Sequence, residues 1–184
     1  MKKSYVFLAD GFEEIEAIGT VDILLRSGMD VETVSINPTE TVTSVHGIAV
    51  KADRTIDTLA TDCDADWLIC PGGMPGASNL AACEPLGAML TRHFRNGGRI
   101  AAICAAPAVV LEPLGILKGR KATCYPGMET LVNDAEMTGE PVVALDTLIT
   151  GYGPGAVFKF GLAIVAATKG QKAADDLAAA MMVK

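Results

Sequence analysis

Gly97-Gly98-Arg99-Ile100-Ala101-Ala102-Ile103-Cys104-Ala105-Ala106-Pro107-Ala108-Val109-Val110 is the stretch that decides the fold. Two glycines end a turn. A short apolar run follows, of the kind that forms a strand buried on both faces. One cysteine comes next, then small residues and a proline suited to the first turn of a helix, where a missing N–H costs little. Strand, cysteine, helix is the geometry of a nucleophile elbow, with the side chain presented on a sharp turn at the carboxyl end of the strand. The helix N-terminus beyond it offers unpaired N–H groups and a positive dipole end, both of which favour a thiolate. Free cysteine is also among the most buried residue types, so the segment alone leaves packing and chemistry both open for Cys104.

Outward from this stretch, strands alternate with helices. On the N-terminal side the pattern predicts a strand over 5–9, a helix over 13–27 stopped by Gly28, and a second strand over 31–36. That is a βαβ unit, which implies parallel pairing. A small hairpin is expected from 41–43 and 48–51. A buried strand over 67–70 ends in Pro71-Gly72-Gly73. A turn or short helix follows around 77–83, then an amphipathic helix over 85–95 closed by Asn96-Gly97. On the C-terminal side a helix is expected over 106–114, a brief strand over 121–124 and a short helix over 128–132. Strands over 142–145 and 147–150 follow, and Gly151-Tyr152-Gly153-Pro154-Gly155 opens a helix over 156–168. Gly170 breaks it before a last helix over 173–182. The alternation predicts an α/β sandwich with a mostly parallel sheet. No repeat, low-complexity tract or linker divides residues 1–184, so one domain is expected.

Composition narrows the function classes. Half of the 184 residues are apolar, aromatics make up 5%, and the formal net charge is −7. An acidic chain without a basic patch argues against nucleic-acid and anionic-membrane partners. The longest apolar stretch, 100–111, is interrupted by Pro107 and falls short of a membrane span. Five cysteines occur without a CxxC pair, and with only two histidines beside them no zinc site is expected. An odd count with no secretory signal reads as reduced thiols and a cytoplasmic protein.

In an open α/β sheet, ligands bind at the carboxyl ends of the strands. Three loops that leave such ends carry unusual chemistry. The first is Asp10-Gly11-Phe12-Glu13-Glu14-Ile15-Glu16-Ala17. Glu13 and Glu14 suit the positive end of a helix. Glu16 sits deeper, between Ile15 and Ala17, where a partly apolar pocket would raise its pKa and let it give or take a proton near neutrality. The second is Pro71-Gly72-Gly73-Met74-Pro75-Gly76, whose backbone N–H groups at Gly72 and Gly73 are candidate oxyanion donors. It is not a P-loop, because no GK[ST] follows. The third is Cys104 itself, with the Ala105 N–H beside it. His93 reads as structural, on the edge of its helix's apolar stripe, and His46 as a loop surface residue. Cys63, Cys70 and Cys83 read as packing residues, and Cys124, at a strand end, is open between packing and an approach to the site.

Gly11-Phe12-Glu13-Glu14-Ile15-Glu16, Val21-Asp22-Ile23-Leu24-Leu25-Arg26, Pro71-Gly72-Gly73, Ala101-Ala102-Ile103-Cys104-Ala105-Ala106-Pro107 and Gly153-Pro154-Gly155 resemble, in order and spacing, the DJ-1/ThiJ/PfpI superfamily. The chain looks most like the branch of the parkinsonism-associated protein deglycase and its bacterial relatives. The resemblance implies a flavodoxin-like three-layer α/β/α sandwich with a nucleophile elbow, and a homodimer. It makes Cys104 the nucleophile and oxidation-sensitive thiol, Glu16 the protonated carboxyl hydrogen-bonded to it, and Gly72 and Gly73 backbone donors. It implies a cofactor-free glyoxalase or deglycase acting on a small carbonyl substrate such as methylglyoxal. Its alternatives are an oxidative-stress sensor or chaperone-like protein, a thiazole-biosynthesis protein of the ThiJ label, or an inactive paralogue. The protease-like branch carries histidine directly after the cysteine; Ala105 stands there, which disfavours a peptidase. Tyr125 and Tyr152 stand where the parkinsonism-associated protein has a histidine and an arginine, so the pocket they are expected to line is less basic.

Overall fold

A computed structural model of the chain describes residues 2–60 and 62–183. In chain order, β1 (Lys3–Leu8) leads into α1 (Glu14–Arg26) and β2 (Val31–Ser35). The hairpin β3 (Thr41–Thr43) and β4 (Ala49–Lys51) is followed by β5 (Arg54–Thr55) and β6 (Ala65–Cys70). Helices α2 (Gly76–Ala82) and α3 (Glu84–Arg95) precede β7 (Arg99–Ile103). The short strands β8 (Lys121–Ala122), β9 (Glu136–Met137) and β10 (Val142–Ala144) come before β11 (Leu148–Gly151), α4 (Val157–Lys169) and α5 (Gln171–Ala180).

Seven strands form the main sheet in the order β10-β11-β7-β6-β1-β2-β5. All pairings are parallel except β10 with β11. The apolar runs are buried on both faces because alternate residues enter two different cores. Val6, Leu8, Trp67, Ile69, Ala101 and Ile103 pack with Ile23 of α1 and Phe160 and Ile164 of α4. Tyr5, Phe7, Leu68, Cys70, Ile100 and Ala102 pack with Leu80 of α2 and Leu86, Met89 and Leu90 of α3. The result is a three-layer α/β/α sandwich with a mostly parallel sheet: the strand–helix alternation predicts the sandwich and the sheet, and the family resemblance implies the three layers.

Two glycines let α1 and α4 cross closely. A Cβ at Gly19 would lie 2.8 Å from Val157 Cγ1, and one at Gly161 would lie 2.8 Å from Ile23 Cδ1. Under this layer the chain's single tryptophan, Trp67, donates its indole N–H to Thr168 Oγ1 at 2.8 Å. Helix α1 begins at Glu14 because Glu13, in extended backbone, accepts the Glu16 N–H on its side chain at 2.7 Å.

Several expectations need correcting. The helix expected over 106–114 is a single π-helical stretch, Pro107–Leu111, in which the Glu112 N–H reaches back five residues to Pro107 O at 3.0 Å. The strand expected over 121–124 is two residues long and pairs with β9 rather than with the main sheet. The helix expected over 128–132 is one 3-10 turn, Glu129–Leu131. Strand β5 was not expected; its two residues extend the sheet edge by pairing with Val34 and Ser35.

Candidate active site

Chain connectivity creates the site. From β1 the chain crosses to β2 on one side, whereas β6 and β7 lie on the other. The crevice at the carboxyl ends of β1 and β6 is therefore a topological switch point. The loops after these strands are tied to each other. Glu13 N–H donates to Gly72 O at 3.1 Å, Gly76 N–H to Gly11 O at 3.1 Å, and Asn79 Nδ2 to Asp10 O at 2.8 Å. The contact is too tight for side chains: a Cβ at Gly73 would lie 2.5 Å from both Glu13 N and Gly11 O.

Cys104 sits at the end of β7 with φ of +65°, a left-handed conformation that a non-glycine residue adopts at a cost of about 1–2 kcal/mol. Neighbouring strands and loops hold it there. Its N–H donates to Gly151 O at 2.9 Å, and its carbonyl accepts the Tyr125 N–H at 2.8 Å. The residue is 8% exposed. The backbone N–H groups of Gly73 and Ala105 act on the sulfur and draw its pKa down.

Glu16 enters from the first turn of α1 and is wholly buried. Its Oε2 accepts the Gly72 N–H at 2.8 Å. Oε1 is buried without a hydrogen-bond partner of good geometry, and the Cys104 thiol is the neighbour that acts on this carboxyl as a donor. Nothing larger than glycine fits between the two groups: a Cβ on Gly72 would lie 2.6 Å from Cys104 Cβ, 2.7 Å from Glu16 Oε2 and 3.0 Å from Cys104 Sγ.

Electrostatics follow from this packing. Burial raises the Glu16 carboxyl to about 7, against the hydrogen bonds from Cys104 and Gly72 that favour its ionised form. Burial, then the charge and hydrogen bonding of Glu16, push the Cys104 thiol up to about 12, against the Gly73 and Ala105 N–H groups. The pair thus resists carrying two negative charges at once. Once Glu16 holds the proton, its charge no longer opposes the thiolate. The two N–H donors then face a sulfur anion beside a neutral acid. That arrangement suits attack on an electrophilic carbon followed by local proton transfer.

The sequence-derived assignments divide here. Cys104, Glu16, Gly73 and Ala105 come together. Gly72 comes with them in a different capacity: its N–H is occupied by Glu16 Oε2, so it orients the acid and is not free as an oxyanion donor. A pocket of about 190 Å³ opens over the sulfur, lined by Gly73, Met74, Cys104, Ala105, Tyr125 and Met128. Tyr125 lines it as expected. Cys124 does not; it is buried, with its thiol directed at Tyr125 O at 3.6 Å. Tyr152 does not line it either, being a half-buried residue whose N–H is held by Pro141 O at 3.1 Å. Met74 and Met128 were missed, because an isolated methionine in a loop carries no periodic signal. Gly151 was missed as a backbone acceptor, although its place after an apolar strand marks a strand end.

Other groups lie elsewhere. Glu14, read as a dipole residue, holds the hairpin loop: Ser44 Oγ donates to Oε1 at 2.5 Å, and His46 Nδ1 lies 2.9 Å from Oε2. The Ser44 hydrogen bond is the chief cause that lowers Glu14 to about 2. His93 is half-buried, with Nε2 3.2 Å from Arg99 O. A roomier cleft of about 610 Å³, bounded by Cys83, Gly87, Arg92 and Leu114, shares no residue with the Cys104 pocket. Among the described residues no helix is long and apolar enough to cross a membrane, and no group of three or more His, Cys, Asp or Glu is placed to hold a metal ion.

The family model described as DJ-1/PfpI matches residues 2–167. Protein DJ-1 homolog B of Arabidopsis thaliana is 34% identical over 184 residues, 100% of this chain and 42% of its own length. The chain therefore spans less than half of that relative. Glutathione-independent glyoxalase DJR-1.2 of Caenorhabditis elegans is 35% identical over 167 residues, 90% of this chain and 87% of its own. Among solved structures, a cysteine-to-alanine mutant of the DJ-1 superfamily protein STM1931 from Salmonella typhimurium superposes with a TM-score of 0.95 at 38% identity, covering 100% of both chains.

Proposed function

Because the chain belongs to the DJ-1/PfpI family, we propose that it is a cofactor-free, cysteine-dependent enzyme that converts small 2-oxoaldehydes such as methylglyoxal, or their adducts, to 2-hydroxy acids. The observation that carries this reading is the Cys104–Glu16 pair, a buried thiol beside a buried carboxyl of raised pKa under a small pocket. The similarity to a relative named as a glutathione-independent glyoxalase supports the same chemistry.

The reaction runs as follows. The Cys104 thiolate adds to the aldehyde carbon, and the carbonyl oxygen takes the proton held by Glu16, giving a hemithioacetal. The Glu16 carboxylate then removes hydrogen from that carbon and returns it to the adjacent one, through an enediol. A thioester of the hydroxy acid results. Water hydrolyses it, releasing lactate from methylglyoxal and restoring the thiol. The N–H groups of Gly73 and Ala105 stabilise the sulfur anion before attack and after hydrolysis. No oxidant or reductant is consumed, since one carbon is oxidised and its neighbour reduced. Positioned proton transfer of this kind supplies about 10²–10⁴-fold.

The test is direct. Purified protein given methylglyoxal forms lactate, and Cys104→Ser abolishes it. If wild type and variant are equally inert while peroxide adds two oxygens to Cys104, the reading fails in favour of a redox sensor.

A further inference from the structure

The pocket above Cys104 has a wall that the hydrolytic chemistry does not use. None of the six residues that line it is charged. Met74 and Tyr125, each 46% exposed, stand at its mouth, and the half-buried Met128 lies alongside. Two unbranched thioethers and one aromatic ring make a soft apolar surface that moulds around a guest and favours sulfur–aromatic contact. Tyr125 is anchored for this task. Its N–H is bonded to Cys104 O at 2.8 Å, and its ring lies over Gly153, with Cδ2 3.4 Å from where a Cβ would stand. The volume, about 190 Å³, corresponds to roughly six waters. That is room for a dicarbonyl with a ring or branched tail.

The surroundings disfavour anions. Glu129 sits near enough to act on Cys124, the residue beside Tyr125, and the charge of Glu13 acts on Glu16. A carboxylate or phosphate on the substrate's tail would lose hydration against methionine and tyrosine with no cation in the lining to pair it. We propose that this pocket selects 2-oxoaldehydes with an uncharged apolar tail, aryl or branched alkyl, over those with an anionic tail, and that Met74, Tyr125 and Met128 set that preference. The inference rests on the reading of Cys104 as a carbonyl-attacking nucleophile.

The experiment compares two aryl glyoxals of the same size, phenylglyoxal carrying a para-carboxamide and phenylglyoxal carrying a para-carboxylate, with methylglyoxal as reference. In wild type the carboxamide is expected to have a kcat/KM at least about tenfold above the carboxylate. Met128→Lys, which places a cation in the wall, is expected to reduce that ratio by at least about threefold, while Met128→Leu keeps it. If wild type converts methylglyoxal but handles both aryl glyoxals within about twofold, the selectivity is overturned and the proposed reaction stands. A ratio unmoved by Met128→Lys in a folded variant overturns the assignment to this wall. If none of the three compounds is converted, the proposed reaction falls and the selectivity falls with it.

Discussion

Glu16→Gln separates the acid–base role of Glu16 from its electrostatic one, because the two act in opposite directions. Glutamine keeps the shape and leaves a carbonyl oxygen to accept the Gly72 N–H, which Glu16 now accepts at 2.8 Å. The negative charge of Glu16 is one of the causes that hold the Cys104 thiol up near 12, so the variant's thiol must ionise at lower pH than the native one. Alkylation of Cys104 by iodoacetamide, followed against pH, reads this shift. Turnover goes the other way. Without a carboxyl to move the proton between carbons, lactate formation from methylglyoxal is expected to fall by about 10²–10⁴-fold.

Stability supplies an independent readout. Glu16 is raised from the ordinary 4.5 to about 7 in the folded chain. At about 1.4 kcal/mol per tenfold change in proton affinity, that shift is worth about 3 kcal/mol. The folded pKa lies above the unfolded one. The stability is therefore fully present below the unfolded value and is lost as pH rises through about 7. Urea unfolding of wild type at about pH 5 and about pH 8 is expected to show this loss, and Glu16→Gln to lack its share of it. A variant that ionises its thiol more easily yet keeps turnover within about threefold of wild type would refute the proton-carrying role. Identical pH dependence of unfolding in the two proteins would refute the burial argument.

Three further expectations concern the frame around the site. Gly72→Ala places a Cβ 2.6 Å from Cys104 Cβ and 2.7 Å from Glu16 Oε2. It should cost about 1–3 kcal/mol in urea unfolding and depress turnover at least about 100-fold; native kinetics in this variant would mean that the thiol and acid need no such close approach. Thr168→Val leaves the Trp67 indole N–H without its 2.8 Å acceptor in the core, a loss of about 1–3 kcal/mol accompanied by altered tryptophan emission. The two histidines should titrate on opposite sides of the ordinary 6.5. The hydrogen bond to Glu14 raises His46, whose share of stability is present below 6.5 and lost as pH rises past its folded value, whereas burial lowers His93. Proton NMR resolves both curves, and coincident midpoints would contradict the two environments.

How much of this was legible in the sequence depends on the range of the interaction. The apolar runs at Val6–Leu8 and Ile100–Ile103 declare buried strands because burial on both faces leaves no polar alternation to obscure them. Helix α1 was readable from its acidic first turn and from Gly28, which has φ of +77°. Strand β5 was not, since two residues carry no period and its pairing depends on where β2 lies. The departure at 107–111 from an ordinary helix was hidden too, because every residue there is compatible with one. At the site, residue types singled out Cys104 and Glu16. The direction of the Gly72 N–H, towards the acid rather than towards substrate, is a backbone property that composition does not record. The Glu14–His46 pair joins residues 32 apart and follows from the hairpin's docking on α1.

The clamp on Cys104 also bears on when the thiol acquires its character during folding. Its N–H and carbonyl are held by Gly151 and Tyr125, both later in the chain, while the acid beside it is held by Gly72, 56 residues from Glu16. Contacts of such separation close slowly, because loop entropy is lost before they form. A nascent chain that has reached β7 but not β11 therefore lacks the Gly151 carbonyl that holds the Cys104 N–H. The Cys104 N–H gains its Gly151 acceptor when β11 pairs with β7. The backbone clamp at the active centre is thus complete only once β11 is in place, so the C-terminal part of the sheet is as much a part of the site as the elbow itself.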